Sequence, residues 1–269
     1  MATIREIYNV LFDFAPADMK LDWDNVGLAC GHFDAEVHKI LVALDPMPDV
    51  FEEAKARSCE LVVTHHPLLF QGVKQVNSDT YAGNCLLYLI ENGIAAMNLH
   101  TNLDCCPGGV NDVLAEAIGV GKLSSLVIEQ QDEDGRPASL GRIGTLPAPM
   151  TIADFAAQVR EALPTAHVRY VDAGPRPVRK LALCSGSGAE FIGRAAALGA
   201  DAYVTGDVRY HDAQHAAELG LHVIDAGHFG TEFPVVASLR QRLADALTER
   251  KRTVEVIADT QSEDFFHVI

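Results

Sequence analysis

The stretch Leu61-Val62-Val63-Thr64-His65-His66-Pro67 places two adjacent histidines directly after an apolar, β-branched run. The run predicts a short buried strand, because helical patterns lie on both sides of it. Pro67 has no backbone N–H and biases His66 towards an extended conformation, so both imidazoles should lie on a stiff turn at the carboxyl end of the strand. Open α/β sheets bind their ligands at that edge. The alternative is that the two rings only satisfy backbone groups of the loop.

The rest of the chain alternates between predicted strands and helices. Strands are predicted at 39–44, 61–64, 94–99, 168–171, 181–184, 202–205, 221–225 and 253–257. Helices are predicted at 4–14, 50–57, 80–91, 110–118, 151–162 with Thr151 as N-cap, 186–198, 212–219 and in a long segment ending near 249. This alternation is typical of an α/β fold with mainly parallel strands. A polar turn at 130–137 and a second turn at Pro147 and Pro149 indicate a domain junction between 124 and 149.

Composition and charge exclude several classes of protein. The formal net charge of −16 over 269 residues argues against strong nucleic-acid binding, which depends on many Lys and Arg contacts. No apolar run reaches the roughly 18 residues of a membrane span, and the N-terminal residues lack a signal-peptide core. The six cysteines show no CxxC spacing, which indicates reduced thiols. We therefore expect a cytoplasmic protein that does not bind membranes.

Three polar clusters follow predicted parallel strands and could therefore meet at one sheet edge. They supply three imidazoles and two carboxylates: His65, His66, Asp104, His228 and Glu232. This mixed nitrogen and oxygen set suits zinc, iron or manganese, and it is large enough for two ions that share a bridging carboxylate. Adjacent side chains of an extended segment point apart, so the two neighbouring histidines would serve different ions.

Each of these residues also has a structural explanation. Asp104 could cap a turn or helix, Glu232 could compensate a helix dipole in a first turn, and His228 could bond to its own loop.

Two further segments carry weaker signals. His211 and His215 are four residues apart and could share a helix face as a metal pair, although solvent-facing histidine pairs are common. A role for His211 beside the metals or facing a substrate is the more attractive interpretation. The turn Cys184-Ser185-Gly186-Ser187-Gly188 could present backbone N–H groups to an anion, but glycine-rich turns of this kind often bind nothing.

Taken together, five motifs resemble the Nif-three-like family, whose members are often named GTP cyclohydrolase 1 type 2 homologues. The motifs occur in family order between about residues 20 and 235: Trp23-Asp24-Asn25-Val26-Gly27-Leu28, Thr64-His65-His66-Pro67, His100-Thr101-Asn102-Leu103-Asp104, Gly199-Ala200-Asp201 with Thr205-Gly206-Asp207, and Gly227-His228-Phe229-Gly230-Thr231-Glu232. The resemblance implies an α/β protein with two interleaved α/β domains in a three-layer, Nif-three-like fold. It also implies a homohexameric ring with a dinuclear metal centre facing its interior.

The resemblance also implies domain limits and residue roles. Residues 1–123 and 223–269 would form a discontinuous metal-binding domain, and residues 124–222 would form the inserted second domain. The implied ligands of two divalent ions (zinc, iron or manganese) are His65, His66, Asp104, His228 and Glu232, with Glu232 as the bridge. Two motif histidines that are not ligands, His100 and His211, would lie near the metals and take catalytic roles. His215 lies outside the family motifs.

Two functions of different classes are compatible with this ligand set. The first is a metal-dependent hydrolase acting on a small molecule such as a nucleotide, with water attacking C8 of the guanine of GTP and formate departing. The second is a metal-binding, metal-delivery or regulatory protein without turnover. An open coordination position distinguishes the first from the second. A purely structural ring ranks last, because burying these carboxylates without a metal would carry a large desolvation cost.

Overall fold

The structure, a computed structural model, describes residues 1–131 and 137–269, so the centre of the predicted polar turn at 130–137 lies outside the described residues. The strands, in chain order, are β1 (Ala2–Thr3), β2 (Gly27–Cys30), β3 (Glu36–Val37), β4 (Lys39–Ala43), β5 (Leu61–Thr64), β6 (Ala95–Asn98), β7 (Gly121–Gln131), β8 (Pro137–Met150), β9 (Arg169–Val171), β10 (Val178–Ser187), β11 (Ala202–Gly206), β12 (His222–Asp225) and β13 (Glu255–Ala258). The α-helices are α1 (Ile4–Phe14), α2 (Pro48–Ala56), α3 (Tyr81–Glu91), α4 (Thr101–Cys105), α5 (Val110–Ala117), α6 (Ile152–Ala162), α7 (Ile192–Ala197), α8 (Tyr210–Glu218), α9 (His228–Glu232) and α10 (Pro234–Glu249).

The chain forms two compact units, and each is discontinuous in sequence. The first unit contains Met1–Leu103 and Val236–Ser262, and the second contains Asp104–Val235 and Glu263–Ile269. The predicted insert at 124–222 lies within the second unit, but its predicted end falls inside β12, a strand of that unit's sheet.

The first unit is built on a five-stranded sheet in the order β13-β4-β5-β6-β2. Strands β13, β4, β5 and β6 are parallel to their neighbours, and β2 pairs antiparallel with β6. Strand β5 is central, and all four of its residues are buried. Side chains of α2 and α3, such as Phe51 and Leu89, pack with Leu41 and Val62 in one hydrophobic core. The apolar run before His65 is therefore the middle of the sheet, as its composition predicts.

Side chains cap the helices that the sequence predicts most clearly. Helix α1 spans the predicted residues, and Thr3 and Glu6 form a capping box at its start. Helix α6 begins after the predicted N-cap Thr151, whose hydroxyl accepts a hydrogen bond from Asp154 N at 3.1 Å. Among the helices that the structure describes, none combines the length and apolar character needed to cross a membrane.

The second unit has a mixed six-stranded sheet in the order β7-β8-β10-β11-β12-β9. Only the pairs β10–β11 and β11–β12 are parallel, so the expectation of mainly parallel strands does not hold for this unit. The long hairpin β7–β8 occupies the region predicted to be a domain junction. Pro147 and Pro149 lie in β8 between Thr145 and Met150, where the pairing with β10 shifts its register. The prolines are tolerated because the hydrogen-bond ladder is irregular there.

Arg142 connects this hairpin to neighbouring segments of the second unit. Its side chain is almost fully buried, and its Nε donates to Asp112 Oδ1 at 2.6 Å. Its terminal nitrogens donate to the backbone carbonyls of Ser139, Gly141 and Cys106 at 2.8, 2.9 and 3.0 Å. The guanidinium thus satisfies one carboxylate and three carbonyls, which places it among the charged groups that are costly to remove.

We expect Arg142→Ala to destabilise the protein by about 3 to 5 kcal/mol, because truncation strands a carboxylate and three carbonyl acceptors. Urea unfolding followed by circular dichroism would measure the change. Arg160→Ala is the control, since Arg160 is exposed on α6, and it should change stability by less than about 0.5 kcal/mol. Equal unfolding midpoints for the two variants would contradict the role given to Arg142.

Candidate metal centre

Three histidines of the first unit lie together beyond the carboxyl ends of neighbouring parallel strands. His65 and His66 follow β5, and His100 follows β6. The ring centroids are 4.9 Å apart for His65 and His66, 5.3 Å for His65 and His100, and 5.7 Å for His66 and His100. One nitrogen from each ring lies within 4.8 Å of the others, a spacing that could hold a metal ion. His65 is buried, whereas His66 and His100 are partly exposed.

The backbone around His65 fixes the tautomer of its ring. Its Nδ1 lies 2.9 Å from the carbonyl oxygen of Leu99. Because a carbonyl oxygen only accepts, Nδ1 must carry the proton, and the lone pair of the neutral ring is then on Nε2. This is the orientation typical of metal-binding histidines, whose second ring nitrogen donates to a carbonyl or carboxylate.

Carboxylates hold the other two rings of the cluster in the same way. His66 Nδ1 lies 2.7 Å from Asp45 Oδ1, and His100 Nδ1 lies 2.9 Å from Asp24 Oδ1. Asp45 follows β4, the neighbour of β5, so a third parallel strand end contributes to the cluster. Neutral imidazoles oriented like this are more basic ligands, and they coordinate a metal through Nε2.

Asp24 is the most strongly bonded of these carboxylates. Its side chain is fully buried, and it accepts hydrogen bonds from His100 Nδ1, Thr101 N, Thr101 Oγ1 and Asn25 N. Burial alone would raise the pKa of Asp24, but the hydrogen bonds from His100 and Thr101 outweigh it and lower the pKa to about 2. Asp24 is therefore a permanent anion that orients the ring of His100.

The second unit carries the other predicted ligands. Strand β12 ends at Asp225, Gly227 turns the chain with a φ of 78°, and α9 begins with His228. His228 Nε2 lies 3.1 Å from Glu232 Oε2, one helical turn further on. His228 Nδ1 lies 2.8 Å from Oδ2 of Asp207, which follows the parallel neighbour strand β11. This histidine is thus supported by a carboxylate, like His66 and His100.

Two buried carboxylates of this unit lie close together. A carboxylate oxygen of Asp104 lies within 4.8 Å of a carboxylate oxygen of Glu232. Both residues are at least nine-tenths buried. The main chain of Asp104 is held in place, because Asn111 Nδ2 donates to its carbonyl oxygen at 3.0 Å. Buried like charges at this separation repel each other, so the pair is suited to a cation.

None of the groups of metal-ligating side chains among the described residues contains a cysteine. Burial, followed by the charges of Asp104 and Glu232, raises the pKa of Cys184 far above its usual range. Burial and the charge of Asp104 do the same to the pKa of Cys105. All six cysteines are free of disulfides. The candidate ligands are therefore nitrogen and oxygen atoms.

The weaker candidates from the sequence lie in different surroundings. His211 and His215 are exposed on α8, and no group of metal-ligating side chains among the described residues includes them. In the glycine turn, Gly186 N donates to Thr231 Oγ1 and Gly188 N to Thr205 Oγ1, at 2.9 and 3.0 Å. These N–H groups are used within the protein, which removes the basis for the predicted anion site. The helix predicted from 186 also begins later, at α7, after a 3₁₀ turn.

Comparison with known proteins gives these residues a context. The family model Duf34/NIF3 (NGG1p interacting factor 3) matches residues 2–264. The chain belongs to the Duf34/NIF3 family. It is 35% identical over 266 residues to a Clostridium perfringens protein named GTP cyclohydrolase 1 type 2 homolog, covering 99% of each chain. It is 37% identical over 237 residues to a Streptomyces coelicolor protein of the same name, covering 87% of this chain and 83% of that one.

Solved structures show that the fold is that of NIF3-related proteins. A Bacillus cereus protein related to NIF3 superposes with a TM-score of 0.92 at 25% identity, covering 100% of this chain and 99% of that one. Reduced HcgD from Methanocaldococcus jannaschii superposes with a TM-score of 0.80 at 30% identity, covering 96% and 97%. The α/β fold class and the family resemblance predicted from sequence are confirmed.

Three carboxylates of this NIF3-family chain were not predicted as site residues: Asp24, Asp45 and Asp207. Two of them could have been predicted in the same way as the histidines, from a position just after a parallel strand. Asp45 lies just after β4, and Asp207 lies directly after β11. Asp24 lies in the motif that contains the tryptophan. Its role depends on a contact with His100, 76 residues away, which neither spacing nor periodicity indicates.

Gly186 leaves space for the carboxylate of Glu232. A Cβ atom at Gly186 would lie 2.1 Å from Glu232 Oε1 and 3.2 Å from His228 Nε2. We expect Gly186→Ala to weaken metal binding at least about tenfold, because the methyl group would displace the Glu232 carboxylate. Titration with Zn²⁺ or Mn²⁺, followed by calorimetry, would measure this change.

Gly220→Ala is a matched control for that experiment. Gly186 and Gly220 have similar positive φ values, 61° and 67°, so an alanine is strained to the same degree at both. A Cβ at Gly220 would meet nothing within 4 Å. Equal loss of metal by the two variants would show that backbone strain, and not contact with Glu232, explains the effect.

Proposed function

We propose that this protein binds two divalent metal ions per chain and uses them to hydrolyse a nucleotide or a related small molecule. The ligands would be the five side chains that match the family motifs: His65, His66, Asp104, His228 and Glu232. The observation that carries the proposal is that each proposed histidine ligand is held in a fixed orientation by a hydrogen bond at its Nδ1. Each proposed histidine ligand has its Nδ1 within 2.9 Å of a carbonyl or carboxylate oxygen, as is typical of metal-binding histidines.

The donor set supports two ions and a first-row divalent metal. Three imidazoles and two carboxylates exceed the needs of one open catalytic site, and a carboxylate such as Glu232 can bridge two ions. Nitrogen and oxygen donors without thiolates suit zinc, iron or manganese. Glu232 is the proposed bridge because it lies close to both Asp104 and His228 within its own unit.

Bound divalent ions would lower the pKa of a water molecule towards neutrality and stabilise negative charge on the substrate. The residues of the chain would orient the reactants and move protons. His100 lies beside His65 and His66, and Asp24 fixes its ring, so His100 is the proposed proton carrier to the leaving group. His211, exposed on α8, is the proposed second histidine that contacts substrate.

GTP is the first substrate to test. Relatives that are 35% and 37% identical to this chain over the aligned residues carry the name GTP cyclohydrolase 1 type 2 homolog. In this reaction water would attack C8 of guanine and open the imidazole ring, and hydrolysis of the resulting formamide would release formate. Arg209 is a candidate for the phosphates, since it lines an open pocket of about 250 Å³ together with Arg169, Tyr170 and Tyr210.

A second function, metal binding or delivery without turnover, is favoured by one feature of the cluster. His100 has a ring nitrogen within 4.8 Å of those of His65 and His66. If His100 served as a ligand, it would occupy a coordination position that a hydrolase leaves open for water. A regulatory metal protein would be compatible with the same arrangement.

The family resemblance also supports a homohexameric ring as part of this proposal. The free cysteines support a cytoplasmic location. The acidic net charge is consistent with a small-molecule substrate and gives no support for nucleic acid as a partner.

We expect purified protein reconstituted with zinc, iron or manganese to bind close to two equivalents of metal per chain. The reason is that the five proposed ligands exceed the requirement of a single open site. Elemental analysis after removal of loosely bound metal measures the ratio. Saturation at one equivalent, or at none, would exclude a dinuclear centre.

We expect the fully metallated protein to release formate from GTP, and His100→Ala to slow this release by about 10² to 10⁴-fold without loss of metal. The physical reason is the loss of a positioned proton carrier. A formate assay combined with metal analysis of the same samples tests both parts.

His215→Ala is the matched control, because His215 is exposed on α8 and lies outside the family motifs. It should change neither rate nor metal content. Loss of metal from His100→Ala would identify His100 as a ligand or a structural support. Absence of formate from fully metallated wild-type protein would remove the cyclohydrolase function and leave the metal-binding function.

A further inference from the structure

Two large aromatic side chains of the first unit lie exposed beside the histidine cluster. Trp23 is 57% exposed and Phe70 is 54% exposed, although both belong to residue types that are usually buried. The ring centroids of Trp23 and Phe70 are 5.4 Å apart. The centroid of the His100 ring lies 6.0 Å from that of Trp23 and 6.3 Å from that of Phe70. The three rings lie side by side at interplanar angles of 44° to 71°, and we call this group of rings the aromatic wall.

Residues next to Trp23 and Phe70 in the chain are held by hydrogen bonds. The exposure of the two rings therefore does not result from a poorly bonded loop. Asp24, next to Trp23, is buried and bonded to His100. Asn25 Nδ2 donates to the carbonyl oxygen of Leu69 at 2.7 Å, and Asn98 Nδ2 donates to the carbonyl oxygen of Asn25 at 2.9 Å. The first of these bonds ties the loop of Trp23 to the residue before Phe70. Both rings are therefore held at the surface by bonds of their neighbours.

We infer that the aromatic wall is a binding surface for a planar nitrogen heterocycle, such as a purine, with its edge towards His100. An aromatic face attracts flat π systems of many kinds by stacking, so the surface selects for planarity. The imidazole of His100 offers a polar partner for ring nitrogens and carbonyls, which a pure hydrocarbon lacks. A preorganised apolar surface also loses little conformational entropy on binding. The inference rests on the proposed function in one respect only, namely that the bound heterocycle would be the part of the substrate that reacts beside the histidines.

The sequence supplies its own probe for this inference, because Trp23 is the only tryptophan in the chain. We expect guanosine and adenosine to quench the fluorescence of the metal-loaded protein, and ribose 5-phosphate and inorganic triphosphate to leave it unchanged. Phe70→Ala should weaken guanosine binding roughly tenfold through loss of stacking. Phe266→Ala is the matched control, since Phe266 is a second exposed phenylalanine, located in the C-terminal segment.

Calorimetry on two variants of Trp23 tests the stacking without relying on its fluorescence. Trp23→Phe keeps an aromatic face and should retain binding of guanosine within a few fold, whereas Trp23→Ala should lose it. No response to either nucleoside at ~1 mM would overturn the inference, and so would equal affinities of the Phe70→Ala and Phe266→Ala proteins.

The outcomes also separate this inference from the proposed hydrolase. Quenching by guanosine without any formate from GTP would support the aromatic wall and reject the hydrolase. Formate release with an unchanged KM in both Trp23→Ala and Phe70→Ala would support the hydrolase and overturn the aromatic wall.

Discussion

The hydrogen bond from Nδ1 of each clustered histidine to a fixed oxygen is the interaction on which the candidate site depends. His65 uses a backbone carbonyl, and His66, His100 and His228 use Asp45, Asp24 and Asp207. Each bond fixes a tautomer and a ring orientation before any metal is present. A metal would then meet preoriented Nε2 lone pairs, and little side-chain entropy would be lost on binding.

These oxygens are in place because parallel strands end side by side. In the first unit β4, β5 and β6 are neighbours, and they are followed by Asp45, by His65 and His66, and by His100. In the second unit the neighbours β11 and β12 precede Asp207 and His228. The same arrangement thus occurs twice, once in the five-stranded sheet and once in the six-stranded sheet. In both cases a rigid ladder of backbone hydrogen bonds sets the position of an imidazole relative to its carboxylate.

Local signals in the sequence predicted the parts of the fold that local physics determines. β5 follows from an apolar β-branched run, and α1 and α6 follow from their periodicity, with the predicted cap Thr151 at the start of α6. The hairpin β7–β8 was missed because Pro147 and Pro149 indicate a turn, whereas an irregular stretch of ladder accommodates them. Asp24 was missed because its function arises from a contact 76 residues away. The His65–His66 pair could be found from its position after a strand, but its supporting oxygens depend on tertiary structure.

The buried carboxylates of the protein differ in how well their surroundings suit a cation. Asp24 is buried, yet its charge is balanced by donors of the chain itself, namely His100, Thr101 and the backbone of Asn25. Asp104 and Glu232 are also buried, and His228 Nε2 lies 3.1 Å from Glu232 Oε2, but oxygens of the two carboxylates lie within 4.8 Å of each other, so their negative charges repel. A divalent cation converts that repulsion into attraction. Burial by itself therefore does not identify a metal site, whereas burial of two carboxylates against each other, beside a histidine whose other nitrogen is already held, does favour one.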